Sequence, residues 1–192
     1  MDNLFADALH QLLSNRCTPD VVRALEAQPQ AHHPLWLAIE SSGFANALVP
    51  EDQDGAGLSL SDLYPLIELC GQHALPYPLA ETLLGRGLLA HAGITAPAGA
   101  LAFTTATLGP AGVSTAGVRG ARLAESVLVS VANETRWLPV ATARVEDDVF
   151  ALDARLHWSR TTWEQAPLIL PTPDLQHCQA ALYAGLMAGA LL

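Results

Sequence analysis

Apolar residues recur at helical spacing through the first half of the chain and give way to extended runs in the second. Leu4, Phe5, Ala8, Leu9, Leu12 and Leu13 fall on one stripe opposite Asp7, Gln11 and Asn15, which predicts a first helix. Thr18-Pro19-Asp20 sets an N-cap before a proline at the first helical position, where its missing N–H costs nothing, and opens a second helix to about Ala27. Pro34 opens a third with Leu35, Trp36 and Ile39 apolar, and Gly43 suits the left-handed residue that ends it. Ser59 or Ser61 caps a fourth, in which Leu63, Leu66, Ile67 and Cys70 share a side. Pro76 and Pro78 turn the corner into a fifth over about 79–92, carrying Leu83, Leu84, Leu88 and Leu89 and stopped by Gly93.

Residues 95–99 form a short Pro/Gly/Ala linker, after which the period changes from helical to extended. Strands are predicted over 126–131, 136–143 and 149–158, joined across Asn133-Glu134 and across Glu146-Asp147-Asp148, as a small antiparallel meander. Asp174 caps a last helix with Leu175, Cys178, Leu182 and Leu186 that runs to Leu192 without a glycine stop or a basic last turn. The fold class is therefore α+β. A helical domain over 1–94 precedes a small antiparallel β domain over 95–172 and the start of a further helical bundle over 173–192.

Composition narrows the functional classes. A chain of 192 residues, 51% apolar and 15% charged, is globular, and it holds no apolar run of the roughly 18–20 residues that a membrane span needs. The amino terminus lacks the basic start and apolar block of a secretory signal, so the default expectation is cytoplasmic. The net charge of −10, with nine arginines scattered and no lysine, speaks against a nucleic-acid partner, which needs a clustered positive surface. Cys17, Cys70 and Cys178 are odd in number and far apart, which fits neither a disulfide framework nor a metal motif.

The isolated polar residues carry little chemistry. His32 and His33 diverge by about 100° on an incipient helix and do not suit one metal ion, so no metal is expected. His157 and His177 have no Ser, Asp or Glu partner at a recognisable spacing, and neither is assigned a nucleophilic role. Gly55-Ala56-Gly57 reads as a tight turn rather than a phosphate loop, and Glu51, Asp52 and Asp54 as solvated carboxylates.

The segment from Gly43 to Asp62 is more specific. Val49, Pro50, Glu51, Gly55, Gly57, Leu58, Ser59 and Asp62 resemble, without gaps, the Val-Pro-Glu-x-x-Gly-Gly-x-Gly-Leu-Ser-x-x-Asp pattern in the amino-terminal helical domain of flavin-dependent acyl-CoA dehydrogenases. Asp54 departs from it, standing where a first glycine is usual. The order of helical domain, linker, β domain and new helix is also similar to that family, with a shortened middle β domain. The family's flavin-contacting Ala-x-x-x-Thr-Glu-Pro-x-Ala-Gly-Ser run is met by 100–110, where Thr104 and Gly109 match while Thr105, Ala106 and Pro110 replace glutamate, proline and serine. The resemblance implies FAD as cofactor, with Phe103, Thr104 and Gly109 as its contacts. Loss of the serine and the imino Pro110 removes two hydrogen-bond donors. A second flavin segment has no counterpart in 113–125, and Trp137 and Trp158 read as sheet packing.

What the resemblance implies for activity is α,β-dehydrogenation of an acyl-CoA thioester, a carboxylate taking the α-proton and the flavin the β-hydride. In the family the base lies in the C-terminal bundle. No glutamate follows Glu164, so no catalytic residue is assigned. The partners implied are acyl-CoA and either a second copy or a related subunit. The alternative is a non-catalytic acyl-CoA dehydrogenase-like subunit or scaffold.

Overall fold

The computed structural model describes residues 4–169 and 174–191, apart from the side chain of Leu175. These form helices α1 (Leu4–Arg16), α2 (Pro19–Ala27), α3 (Pro34–Ser41), α4 (Leu60–Gln72), α5 (Leu79–His91), α6 (Arg160–Gln165) and α7 (Leu175–Ala190). The strands are β1 (Leu101–Gly109), β2 (Gly112–Val118), β3 (Ser126–Val131), β4 (Glu134–Pro139), β5 (Arg144–Asp147) and β6 (Ala154–Ser159). The α+β class stands.

Local chemistry sets the helix ends. Thr18 Oγ1 accepts the Val21 N–H at 3.4 Å with Pro19 opening α2. Of the two serines proposed for α4, Ser59 is the cap: its hydroxyl accepts from the Asp62 N–H while Asp62 accepts the Ser59 N–H at 3.1 Å, a reciprocal box. His33 caps α3, its Nδ1 accepting the Leu35 N–H at 3.2 Å. Gly43 and Gly93 end α3 and α5 at φ of 78° and 71°. Asp54, the departure from the family pattern, sits at φ 62°, a conformation an aspartate tolerates better than most residues. The following Gly55 cannot vary, since a Cβ there would lie 1.9 Å from the Val49 carbonyl oxygen. On α1 the buried stripe is narrower than its period suggests: Leu9 and Leu13 are buried, whereas Leu4 is 77% exposed.

The strands depart from a three-strand meander. The sheet runs β4-β3-β1-β2-β6-β5, with β1 parallel to β3 and the other neighbours antiparallel. The β1–β2 hairpin is additional to the predicted strands. The run predicted over 136–143 starts earlier and stops at Pro139, where a 3₁₀ turn over Val140–Thr142 takes over. Strand β5 takes in Glu146 and Asp147, read beforehand as turn residues. Arg144 and Arg122 pair with those carboxylates, and the turn begins only at Asp148, which accepts the Val149 N–H at 2.7 Å.

Two apolar layers result. Leu9, Leu25, Trp36, Leu66 and Leu83 from the helices join Leu101, Phe103 and Leu128 from the sheet in one continuous core. On the other sheet face Ala102, Val113, Val129, Leu156 and Trp158 pack with Trp163 of α6. A strand covered on both faces is apolar throughout rather than alternating, which is why β3 reads Ser-Val-Leu-Val-Ser-Val. No helix among the described residues is long and apolar enough to cross a membrane.

Candidate functional site

The residues singled out as flavin contacts lie on β1, where α5 and α7 lean against the sheet. Thr82 on α5 fastens the strand start, its hydroxyl accepting the Leu101 N–H at 2.9 Å and donating to the Pro78 carbonyl at 2.8 Å. Gly85 lets the two elements close, because a Cβ there would come within 2.4 Å of Leu101 Cδ2 and 2.9 Å of Phe103 Cε1. From α7, Gln179 Nε2 donates to the Phe103 carbonyl at 2.9 Å.

This geometry leaves the three candidate residues with their polar groups engaged. Phe103 has its ring in the helical core. Thr104 is buried on the strand face opposite Phe103, and its hydroxyl donates to the Thr105 carbonyl at 3.0 Å. Gly109 lies at the hairpin end, its carbonyl accepting from Arg160 Nη2 at 3.1 Å. Of the exposed threonines that share the Phe103 face, Thr107 donates its hydroxyl to the Ser114 carbonyl at 3.4 Å, and a flavin placed against β1 would meet Thr105 beside it. As placed, Phe103, Thr104 and Gly109 offer no spare side-chain donor to such a ring.

Two buried ion pairs frame the junction. Glu81 on α5, 1% exposed, accepts from Arg119 Nη1 at 3.0 and 3.3 Å. Burial works against the Arg119 charge, and the Glu81 carboxylate beside it outweighs that and moves its pKa up. Arg86 donates to Glu40, to Asn46 Oδ1 at 2.7 Å and to the Gly99 carbonyl at 2.9 Å, while the Gly99 N–H returns to Glu40 Oε1 at 3.1 Å. Trp36 Nε1 completes the carboxylate at 2.9 Å. This clamp borders a cleft of about 570 Å³, lined also by Gln53, Asp54, Thr95 and Ala98. Its carboxylate and guanidinium are committed to each other and to the linker, which suits a fastening better than a reacting group.

Burial pushes the Cys17 thiol up to about 11 and the Cys70 thiol up to about 12, so neither supplies a thiolate near neutral pH. Trp158 fills the second core and donates from Nε1 to the Pro139 carbonyl at 3.2 Å.

The histidines correct the reading by spacing. His157 does have partners: Ser114 Oγ lies 3.0 Å from its Nδ1 and Glu146 Oε2 lies 3.2 Å from its Nε2. His177 meets Asp174 at 3.2 Å. Sheet register brings the His157 group together across 43 residues of sequence, a separation that no local motif encodes. His32 turns to Glu125 at 2.9 Å while its neighbour His33 caps α3.

No family model matches the chain. An acyl-CoA dehydrogenase, IpdE2 of Mycobacterium tuberculosis (strain ATCC 25618 / H37Rv), is 26% identical over 191 residues, covering 97% of this chain and 59% of that protein. Among solved structures, the Tcur3481–Tcur3483 steroid ACAD superimposes with a TM-score of 0.72 at 19% identity, over 96% of this chain and 61% of that one. The ChsE4–ChsE5 complex from Mycobacterium tuberculosis gives the same TM-score of 0.72 at 13% identity, again over 96% and 61%. The chain thus spans about three fifths of the length of these three proteins. At these identities the two structures establish a shared fold, and the sequence likeness runs through nearly the whole chain alongside it. In sequence over nearly its whole length, and in fold, the chain is similar to acyl-CoA dehydrogenases.

Proposed function

We propose that the chain serves flavin-dependent α,β-dehydrogenation of an acyl-CoA thioester, as a portion that carries the helical and sheet walls of the enzyme and not its base. The observation behind this reading is the 191-residue likeness to an acyl-CoA dehydrogenase, which takes in the helices, the linker and the sheet together. When bound, FAD supplies the acceptor for the β-hydride. The chain's own part is enclosure: Leu101 and Phe103 close β1 against α5 and exclude water, and Gln179 holds α7 to the same strand. Phe103, Thr104 and Gly109 would approach the flavin through the strand they sit on, and no described residue is assigned as the base. Cytoplasmic residence goes with this reading.

One observation favours a second reading, a non-catalytic subunit that works beside a related, flavin-holding one. Thr104 spends its hydroxyl on Thr105, the Phe103 and Gly109 carbonyls are taken by Gln179 and Arg160, and Pro110 has no N–H. The two-part names of both matched structures support a related subunit as the partner. Gel filtration of the chain after incubation with FAD separates the readings. A yellow protein peak with a perturbed flavin band supports the first, and a colourless peak that carries flavin only when a related subunit is added supports the second. Colourless protein in both experiments removes flavin chemistry from the proposal.

A further inference from the structure

The uncovered half of the sheet carries a polar row that the dehydrogenase reading does not use. Strands β2, β6 and β5 are consecutive neighbours, and Ser114 is registered opposite His157, which in turn faces Arg144. Ser114 is exposed and His157 half-buried. The Ser114 hydroxyl lies 3.0 Å from Nδ1 of the ring, and Glu146 Oε2 lies 3.2 Å from Nε2. Nε2 is itself buried, and the carboxylate meets it at ion-pair distance but without full hydrogen-bond alignment. A lone pair on Nε2 would point toward an anion, so the proton belongs on Nε2 and Nδ1 is left to accept the Ser114 O–H. Arg144 binds the other carboxylate oxygen, and the contact with His157 first, then the Arg144 charge, holds the Glu146 carboxyl below the usual carboxylate range.

We propose that Ser114 is an activated nucleophile that accepts acyl and phosphonyl groups from small activated esters, with His157 as its base and Glu146 as the positioning residue. Three groups in series, a hydroxyl hydrogen-bonded to an imidazole and a carboxylate at ion-pair distance from its far nitrogen, are the set that such activation uses on unrelated folds. In the acyl step Ser114 Oγ bonds to the carbonyl carbon and its proton passes to His157 Nδ1. The bond from that carbon to the leaving oxygen then breaks, and the proton departs with the alcohol. Water repeats the exchange, releasing the acid and restoring Ser114, with no change of oxidation state. Thr107 and Ala116, the exposed residues flanking Ser114 on the strand face, leave the hydroxyl open to small reagents. The proposal stands independently of flavin binding.

The test is labelling of the folded full chain with a fluorophosphonate, followed by peptide mass spectrometry. One adduct is expected, on the peptide containing Ser114, absent from Ser114→Ala. It should form about a hundredfold more slowly in His157→Gln, the scale of a lost general base. Glu146→Gln should slow it as well, and Glu146→Asp, which keeps the anion, should recover most of the rate. Circular dichroism confirms that each variant is folded, and the wild-type chain unfolded in urea should lose its labelling, which reports the same dependence on the fold without any substitution. Absence of an adduct on the folded chain, an adduct on another residue, or equal rates in wild type and folded His157→Gln would each overturn the proposal.

Discussion

Replacing Gly71 by alanine tests how α7 is held. Helix propensity alone makes alanine the better residue by about 0.8–1 kcal/mol. The crossing of α4 and α7 reverses that expectation, because a Cβ on Gly71 would stand 1.9 Å from the Leu186 carbonyl oxygen and 2.7 Å from its carbon. Gly189 on α7 makes the reciprocal approach, its Cβ position lying 1.8 Å from the Glu68 carbonyl oxygen. An unstrained contact needs about 3.5 Å, so the helices must part by roughly 1.5 Å, and a gap of that order forfeits much of the dispersion energy along the seam. The obstacle is backbone, which cannot rotate away, so the overpacking loss lies near the upper end of about 1–3 kcal/mol. Set against the propensity gain, the net expectation is destabilisation by about 2 kcal/mol. Because the seam is local, the clearest assay is hydrogen exchange over Leu175–Ala190, which should accelerate strongly while the sheet stays protected. Gly93→Ala is the control. Nothing lies within 4 Å of its Cβ position, so only the strain of φ 71° remains and α7 exchange should not change. A Gly71→Ala chain that melts higher than wild type, with α7 exchange unaltered, would refute the close-packed crossing.

Further outcomes follow from the polar fastenings. Arg86→Leu should cost about 3–5 kcal/mol in urea unfolding, the scale for removing one partner of a buried pair, because it strands the Glu40 carboxylate; unchanged stability would show that the clamp holds nothing. His73 has its Nε2 3.2 Å from His10 Nδ1, and burial first, then the neighbouring imidazole, lowers its pKa below the ordinary 6.5. The unfolded chain therefore takes the proton more readily. Stability from this group is complete above pH 6.5 and falls as the pH drops toward the native pKa. The melting temperature of wild type should decline as the pH is lowered through 6.5, and His73→Asn should flatten that decline; parallel profiles would count against the pairing.

The helical half was legible because its signals are local and mutually consistent. Thr18 with Pro19, Ser59 with Asp62, and Gly43 and Gly93 act within one turn of the chain, and each lies at the helix end it marks. The β1–β2 hairpin was not, since Thr-Thr-Ala-Thr and Gly-Val-Ser-Thr-Ala-Gly give no clean alternation of apolar and polar residues. Strand β5 was hidden by its charges, which suit an edge with one partner strand and solvent beyond. The flavin contacts were legible only by resemblance. The side of the strand on which Thr104 would fall depended on register that composition does not carry. The partners of His157 were invisible for the same reason, as they meet only once three strands are laid side by side.

The linker over 95–99 looks like a seam at which helices and sheet could be taken apart, and the continuous core argues otherwise. A chain divided there would leave the helices with the uncovered flank of Leu83 and the sheet with the bare ring of Phe103. Each piece would carry an interface meant for the other, so the pieces would complement one another in a mixture sooner than persist alone. Swapping either half between relatives therefore has to respect the α5–β1 contact surface: recombination should succeed when Gly85, Leu101 and Phe103 travel as a matched set.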